Sequence, residues 1–431
     1  MMKKELKMQN YENNITRNYK GIMSVMLISL IVDQWNVFLI PQTNVFVRTY
    51  FHLDNFSFGL VTAVVIGGAA IGSLIGGYLT DKFGRKIIFQ ADMIVFIVAA
   101  IASTFSPDFT FFILTRFIAG IAVGADIANV YAYIMESSVT GKREFTGAMN
   151  TLMASFSILS INFIVLYLIY INEAQDIIWK YPLILSVLPA SIGLIQSLRI
   201  SETGLWKEIS VRDETGKKKV SDILADGIKR KTTVFTWISG IASTIEVGTF
   251  AFFIPQIIMN LNISTPLSRE LIIIGIYAFG IPSGYLGPKL LPLMGLRKLS
   301  YIGYIITVVS LILSGVFIME KQYILVPVSM VMFVWGNHWN SQPILTSQAL
   351  VSHTEYRGRS VGITNFISEL PAFLSITFFP SLVSYIGLGK STLLVALAPV
   401  AGLLAALYIF REIYGYTDDL KIYGIPAMET T

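Results

Sequence analysis

Long apolar runs recur along the whole chain and are separated by short polar loops. A run of roughly 18 or more apolar residues has the length of a membrane-spanning helix. The pattern predicts about twelve spans of roughly 20 residues each, with approximate limits 20–40, 58–79, 86–104, 109–135, 145–170, 178–199, 233–258, 268–288, 298–318, 322–348, 359–385 and 388–411. We therefore expect an all-α membrane protein.

A long polar interval divides the twelve spans into two sets of six. It predicts an N-terminal six-helix half at 1–199, a cytoplasmic inter-half linker at 200–232, and a C-terminal six-helix half with a cytoplasmic tail at 233–431. The halves share short sequences, since Phe38–Gln42 (FLIPQ) corresponds to Phe252–Gln256 (FFIPQ). Two similar halves related by an axis along the membrane normal predict a transporter with its substrate site between them, near mid-membrane.

Composition supports the membrane assignment and indicates how the chain is oriented. Apolar residues make up 54% of the chain and charged residues only 14%, about half the charged share of an ordinary soluble domain. If the N-terminus lies in the cytoplasm, almost all Lys and Arg side chains do so too; the ones outside are Arg48, Lys180, Arg269, Lys321 and Lys390. The positive-inside rule therefore predicts a multi-pass protein of the cell membrane with both termini in the cytoplasm.

Several kinds of chemistry have no support in the sequence. The chain contains no cysteine, and its three histidines, His52, His338 and His353, show no metal-ligand spacing. No nucleophile–base pair or nucleotide-binding loop is visible, so we predict neither enzyme activity nor a cofactor. The net charge of +5 lies in short loops and does not indicate nucleic acid. The expected partners are a small-molecule substrate, protons and the lipid bilayer, and we expect a functional monomer.

The sharpest local motif is GYLTDKFGRK at Gly77–Lys86, in the loop between spans two and three. Glycine permits close helix approach and tight turns, and an acidic side chain near basic groups can hold one face of the protein together. The pattern Gly-x-x-x-Asp-Arg/Lys-x-Gly-Arg-Arg/Lys resembles the signature loop of the major facilitator superfamily. This resemblance implies the twelve-helix fold of that family and a cytoplasmic gate motif, to which we assign Gly77, Asp81, Lys82, Gly84, Arg85, Lys86, Glu136 and Arg143.

Span four carries a second motif, RFIAGIAVGAD, which begins at Arg116 and ends at Asp126. Its Gly120 and Gly124 form a stripe of small residues on which a neighbouring helix can pack closely. The spacing of Arg116 and Asp126 resembles the sugar, phosphate and aromatic-acid proton symporters of the superfamily. The resemblance implies that Asp33 of span one is the partner of Arg116, and we interpret Asp33, Arg116 and Asp126 as proton-coupling residues. A static ion pair between Asp33 and Arg116 is the alternative.

Polar residues near the middle of a span are costly and are candidates for substrate binding. Glu246 lies in span seven, and Glu369 lies just before Pro371 in span eleven. Span ten contains WGNHWNSQP, which offers hydrogen bonds and aromatic faces to a small molecule. The predicted substrate-binding residues are Trp35, Asn36, Glu246, Trp335, Asn337, His338, Asn340 and Glu369, although the two tryptophans of span ten could instead face lipid or pack between helices.

The predicted substrate follows from the balance of buried charge. Span seven lacks the Trp-x-x-x-Asp sequence of the phosphate symporters, which argues against phosphate. One mid-membrane arginine, Arg116, is set against four acids, so the cavity should be acidic and favour neutral or cationic solutes; the acids are Asp33, Asp126, Glu246 and Glu369. We predict a proton-coupled symporter of a small organic solute that works by alternating access. The alternatives are a proton-coupled antiporter that exports amphipathic cations and a non-transporting membrane sensor.

Overall fold

The computed structural model describes residues 2–138, 142–210, 219–225, 227–261 and 265–416, with side chains described from residue 21 onward except that of Ile209. The described residues form helices and turns, without a strand among them. The helices before residue 200 are α1 (Met2–Tyr50), α2 (Asn55–Phe83), α3 (Arg85–Thr104), α4 (Phe109–Ser137), α5 (Lys142–Ala148), α6 (Asn150–Tyr170), α7 (Lys180–Leu185) and α8 (Val187–Ser197).

The connecting region contains α9 (Gly204–Ser210) and a short 3-10 helix, Val220–Leu224. A second 3-10 helix, Ala251–Phe253, interrupts the first span of the second half. The helices of that half are α10 (Gly227–Thr249), α11 (Ile254–Met259), α12 (Pro266–Ala278), α13 (Gly280–Met319), α14 (Val326–Val351), α15 (Arg357–Ile386), α16 (Leu388–Val395) and α17 (Leu397–Tyr408).

These helices account for twelve membrane crossings. Nine helical stretches of the described residues are long and apolar enough to cross a membrane. One of them, Pro266–Met319, supplies two crossings, because Gly295 with a φ of +72° interrupts the helical backbone inside α13. The remaining two crossings are α7 with α8, which are separated at Ser186, and α14, whose polar side chains lower its hydropathy.

The helices depart from the predicted spans mainly at their ends. Helix α1 continues through Pro41 to Tyr50, past the predicted limit at 40. Helix α10 begins at Gly227, inside the predicted linker, and the predicted fifth span is divided into α5 and α6 near Met149. Hydropathy detects only the part of a helix that lies in hydrocarbon, whereas hydrogen bonding continues the helix into the polar layer.

Helices α2 and α4 pack backbone against backbone in the first half. A Cβ atom at Gly124 would lie 2.6 Å from the backbone nitrogen of Ser73, so no side chain fits there. At Gly120, a Cβ would lie 3.0 Å from the Cα of Gly68. The predicted stripe of small residues on span four therefore allows this close approach.

The two halves meet along α2 and α15, and the connecting region packs against both. A Cβ atom at Gly77 of α2 would lie 2.9 Å from the carbonyl carbon of Gly358 in α15. In the connecting region, Leu205 and Ile223 are buried. The segment predicted as an inter-half linker therefore lies partly against the helix bundle.

Candidate functional site

A cavity of about 180 Å³ lies between the two halves. The polar side chains of its first-half wall are Gln34, Tyr131, Asn150 and Thr151. The second half contributes Ser243, Thr244, Tyr277, Asn337, His338, Ser341, Asn365, Ser368 and Glu369, together with the rings of Phe252 and Phe333. The cavity combines hydrogen-bonding side chains with aromatic and aliphatic surface, as sites for small solutes do.

Glu369 is the one acidic side chain among the described residues that line this cavity. Asp33, Asp126 and Glu246 are each 0% exposed and lie behind the wall. The expectation that all four acids make the cavity acidic is therefore corrected, because three of the carboxyl groups face neighbouring helices. The lining that remains is mostly neutral.

The structure divides the predicted substrate-binding residues into two groups. Asn337, His338 and Glu369 line the cavity. Five others lie outside the lining of this cavity: Trp35, Asn36, Glu246, Trp335 and Asn340. Trp35 donates from Nε1 to the carbonyl of Pro182 at 3.0 Å, and Trp335 packs near Trp339 with ring centroids 6.1 Å apart. These indole rings serve helix packing.

The sequence analysis missed all four polar first-half residues of the lining, which are Gln34, Tyr131, Asn150 and Thr151. Gln34 and Asn150 both face the cavity, and Gln34 Nε2 donates to Asn150 Oδ1 at 3.0 Å. The signal for Gln34 was available, because an amide inside an apolar run is costly unless it has a partner. Ser and Thr give no such signal, since their hydroxyls bond to their own helix, as Ser341 Oγ does to the Asn337 carbonyl at 2.7 Å.

The predicted contact between Asp33 and Arg116 is not formed. Arg116 is fully buried and donates from Nη2 to Asn36 Oδ1 at 3.2 Å, while its Nε and Nη1 have no hydrogen-bond partner in the described part of the chain. Asn36 lies almost one helical turn beyond Asp33 on α1. Arg116 therefore bonds to α1 at a different depth in the bundle from that of Asp33.

The Asp33 carboxyl instead lies near the carboxyl of Asp126, and the two groups interact electrostatically. Ser29 Oγ, one turn before Asp33, also donates to an Asp126 oxygen. A third carboxyl, Asp92 of α3, lies near this pair and was not predicted from the sequence. Asp33, Asp92 and Asp126 therefore form a cluster of buried acids that is set apart from Arg116.

We call the end of the bundle where α2 turns into α3 the motif end, and the other end the opposite end. At the motif end, the Asp81 carboxylate accepts hydrogen bonds from the backbone nitrogens of Gly358 and Arg359 at 2.9 and 3.0 Å. It also pairs with Arg359 Nε at 3.1 Å. Asp81 belongs to the first half and Arg359 to the second, so these bonds join the halves.

A second ionic group lies beside Asp81 at the motif end. Arg85 pairs with Glu136 at 2.7 Å, and Glu136 also contacts Arg357 of the second half at 3.3 Å. Thr203 of the connecting region donates to Glu136 Oε2 at 2.6 Å. We name Asp81, Arg85, Glu136, Arg357 and Arg359 together the motif-end latch.

The other residues of the predicted gate motif have different surroundings. Gly84 has a φ of +100°, which favours glycine, and it ends α2. Lys82 is exposed and lies over the rings of Tyr78 and Phe83. The backbone nitrogen of Lys86 donates to Glu202 at 3.0 Å. Arg143 is buried and donates to the Tyr416 carbonyl.

At the opposite end, the halves are joined by neutral groups. Asn44 Nδ2 donates to the carbonyl of Phe252 at 3.0 Å, and Gln42 Nε2 to the hydroxyl of Tyr277 at 3.3 Å. Phe38 meets Phe252 edge to face, with ring centroids 5.2 Å apart. The break between α10 and α11 frees the carbonyl of Phe252 for this role. The cavity therefore lies between two sets of contacts that bridge the halves.

A comparison with known families identifies this architecture. The model of the Major Facilitator Superfamily matches residues 25–376, which is most of the chain. The chain belongs to the major facilitator superfamily. The resemblance seen in the Gly77–Lys86 motif is therefore confirmed, and so is the twelve-helix fold class. The comparisons place this major facilitator protein among transporters and not among enzymes.

This major facilitator protein is similar in sequence to named transporters and in fold to a solved symporter. The major myo-inositol transporter IolT of Bacillus subtilis is 25% identical over 383 residues, which cover 79% of this chain and 80% of IolT. The glucose transporter GlcP of Staphylococcus epidermidis is 30% identical over 181 residues, 42% of this chain and 39% of GlcP. The proton:xylose symporter XylE, bound to 6-bromo-6-deoxy-D-glucose, has the same fold, with a TM-score of 0.81, 18% identity, and coverage of 94% of this chain and 98% of XylE.

Proposed function

We propose that this major facilitator protein is a proton-coupled symporter of a neutral, polyhydroxylated solute, such as a monosaccharide or a cyclic polyol. The lining of the central cavity carries the proposal. Amides and hydroxyls from both halves face the cavity, with aromatic rings beside them and Glu369 as the one acid among the described lining residues. A sugar hydroxyl both donates and accepts hydrogen bonds, and a sugar ring packs on aromatic faces.

The similarity to named transporters supports this class of solute. IolT is described as a myo-inositol transporter and GlcP as a glucose transporter. A D-xylose transporter of Levilactobacillus brevis is 30% identical over 162 residues, which cover 37% of this chain and 34% of that protein. Cyclic polyols and monosaccharides of this size share a compact ring edged with hydroxyls, which matches the mixed lining.

For proton coupling, we propose the Asp33–Asp126 pair. Two carboxyl groups in contact repel each other when both are charged, so one proton between them relieves the repulsion. Both side chains are fully buried, one layer behind the cavity wall that contains Gln34. Movement of α1 against α4 would separate the two carboxyl groups and change their affinity for the proton. Proton binding and helix position are thereby linked in the first half.

Transport would proceed by alternate opening of the two ends. In the described conformation, the motif-end latch and the contacts of Asn44 and Gln42 bridge the halves on either side of the cavity. Rocking one half against the other would break one set of contacts while the other holds. We propose that the motif end is cytoplasmic, which follows from the positive-inside rule, and that a monomer suffices because one chain encloses the whole cavity.

An antiporter that exports amphipathic cations is a second candidate, and Glu369 is the observation that favours it. Its carboxyl faces the cavity without a hydrogen bond or ion pair to a described residue, and aromatic rings lie nearby. A cation between a carboxylate and aromatic faces is a recognised mode of binding.

Uptake into proteoliposomes tests the proposal. The panel contains radiolabelled myo-inositol, D-glucose, D-xylose, phosphate and tetraphenylphosphonium, each with and without an inward proton gradient. We expect gradient-stimulated uptake of a polyol or sugar that is lost in Asp33→Asn, while solute exchange survives. Asp108→Asn is the matched control, because Asp108 caps α4 near the surface and asparagine caps as well. Movement of tetraphenylphosphonium alone would favour the antiporter, and movement of no compound would favour a sensor.

A further inference from the structure

Glu246 lies directly behind the second-half wall of the cavity. Its side chain is 0% exposed and does not line the cavity. One carboxyl oxygen, Oε1, accepts hydrogen bonds from Asn337 Nδ2 and Asn340 Nδ2, both at 2.8 Å. A single buried acid therefore accepts hydrogen bonds from the side-chain amides of two α14 residues, Asn337 and Asn340. Of these two residues, Asn337 lines the cavity.

Ser243 closes these contacts into a ring. Its hydroxyl donates to Asn340 Oδ1 and accepts from Asn337 Nδ2, both at 3.4 Å. Ser243 lies nearly one turn before Glu246 on α10, and it lines the cavity. We call Ser243, Glu246, Asn337 and Asn340 the Glu246 network. Because the network is closed, the conformation of each member depends on the others.

The network fixes which atom of Asn337 is left for a solute. Both hydrogen bonds of the Asn337 amide are donated by Nδ2, one to Glu246 and one to Ser243. If the amide were flipped, its oxygen would lie 2.8 Å from Glu246 Oε1, which also accepts from Asn340 Nδ2, and two acceptor oxygens in contact repel each other. Asn337 Oδ1 accepts no hydrogen bond from a described residue, so the cavity receives an acceptor at this point.

Asn365 has the complementary property. Its Nδ2 is buried and has no hydrogen-bond partner among the described residues, and the side chain lines the cavity. A buried amide donor without a partner is costly, and a hydroxyl oxygen of a bound solute would remove the cost. The second-half wall thus offers an acceptor at Asn337 and a donor at Asn365.

We propose that Glu246 is a positioning residue that holds Asn337 as a hydrogen-bond acceptor for one donating hydroxyl of the solute. Glu246 touches neither solute nor transported proton. The assignment rests on the proposed function as a carrier of polyhydroxylated solutes. It specifies which side chain recognises one hydroxyl of the solute. It replaces the expectation that Glu246 and Asn340 bind the substrate themselves.

Exchange kinetics in proteoliposomes test the assignment with myo-inositol, D-glucose and D-xylose as probes. Glu246→Gln keeps a carbonyl oxygen that accepts from both amides, so we expect KM within about twofold of wild type. Glu246→Ala releases Asn337, and we expect KM to rise about tenfold with a smaller change in kcat, since a polar site left unpaired discriminates strongly. Asn337→Ala should have the same effect, and the double variant should be no worse than the larger single one.

Analogues that cannot donate provide a second readout. In a series of deoxyfluoro-D-glucoses, fluorine replaces one hydroxyl at a time without adding bulk. We expect one member of the series to lose about tenfold in apparent affinity with wild type but not with Asn337→Ala or Glu246→Ala. Equal losses in all three proteins would overturn the assignment. The assignment would also be overturned if Glu246→Gln abolished stimulation by the proton gradient but left exchange intact, because Glu246 would then carry the proton.

Thermal unfolding in detergent separates this inference from the proposed function, since it needs no solute. Glu246→Ala and Asn337→Ala should each lower Tm, and their combination should lower it by less than the sum. Glu270→Gln is the matched control, because Glu270 is a buried acid of the same half outside the cavity lining. If wild type exchanges none of the three solutes, the proposed function fails. Additive Tm shifts would overturn the inference about Glu246 whether or not exchange is seen.

Discussion

Glu202 and Glu412 occupy equivalent positions in the two halves, although their surrounding sequences differ. The Glu202 carboxylate accepts from the backbone nitrogen of Lys86 at 3.0 Å, at the start of α3 just after Gly84. The Glu412 carboxylate accepts from the backbone nitrogens of Leu296 and Arg297 at 3.0 Å each. In each half, an acid that follows the last span caps the helix of the third span.

The glycine before each capped helix explains why this repeat persists. Gly84 has a φ of +100° and Gly295 a φ of +72°, so the chain makes the same kind of sharp turn in both halves. The turn exposes the first backbone N–H groups of the following helix, which favour a negative charge. The second half lacks the acid that corresponds to Asp81, but it keeps this cap.

Loss of the Glu412 cap should destabilise the protein. We expect Glu412→Ala to lower the free energy of unfolding by about 1–2 kcal/mol, the range found for loss of a helix N-cap. Thermal unfolding of the detergent-solubilised protein measures the change. Glu320→Ala is the control, because Glu320 is exposed at the end of α13 and should leave Tm unchanged. Equal shifts in the two variants would contradict the capping role.

The motif-end latch should control access to the interface from that end. Thr346 is fully buried beside Gly147 of the first half. Because the chain has no cysteine, Thr346→Cys gives a single reporter whose reaction with a maleimide requires the motif end to open. Asp81→Asn weakens charge-assisted bonds worth about 1.5 kcal/mol or more, so we expect roughly tenfold faster labelling.

Lys82 provides the matched control for the latch. It follows Asp81 in the same turn but is exposed, and its ammonium group lies over two rings of its own half. Lys82→Gln in the Thr346→Cys background should therefore label at the unchanged rate. Faster labelling with Lys82→Gln than with Asp81→Asn would show that overall loop charge, and not the Asp81 contacts, keeps this end closed.

Close packing of α2 and α4 should tolerate no added side chain. A Cβ at Gly124 would lie 2.6 Å from a backbone nitrogen, and backbone atoms cannot move aside cheaply. We expect Gly124→Ala to reduce the free energy of unfolding by about 1–3 kcal/mol, as overpacking does. Gly275→Ala is the comparison, since no atom lies within 4 Å of a Cβ built there. A thermal unfolding curve for each variant should show a lower Tm for the first only.

Asp126 should be as necessary for proton coupling as Asp33. If the two carboxyls share one proton, replacing either with an amide should abolish stimulation of uptake by an inward proton gradient, while exchange of solute continues. Asp126→Asn in proteoliposomes measures this, with the exposed Asp176→Asn as control. Full gradient stimulation in Asp126→Asn would show that Asp33 works without this partner.

The sequence predicted the fold because apolar length and short motifs are local properties. The twelve crossings and the cluster at Asp81, Arg85 and Glu136 follow from such local signals. The site was harder to predict, because the face of a helix that borders the cavity depends on its rotation and tilt. A small rotation decides that Asn337 lines the cavity while Asn340, nearly one turn later, lies behind it.

The misplaced contacts have the same physical origin. Depth along a span can be estimated from residue number, and by that measure a contact between Asp33 and Arg116 is possible. Depth does not determine which side chain on a facing helix is nearer, and Asp126 and Asn36 are the actual neighbours. Asp92 was not predicted as a functional residue, because one acid in an otherwise apolar span forms no motif by itself.

The two ends of the interface between the halves are closed by bonds of unequal strength. Carboxylates and guanidinium groups hold the motif end, whereas amides, a phenol and aromatic edges hold the other. Hydrogen bonds to charged groups contribute about 1.5–3 kcal/mol and neutral ones about 0.5–1.5 kcal/mol. An empty carrier with this asymmetry spends most of its time ready to receive solute from one side of the membrane, and this preference is present before any gradient or solute acts on it.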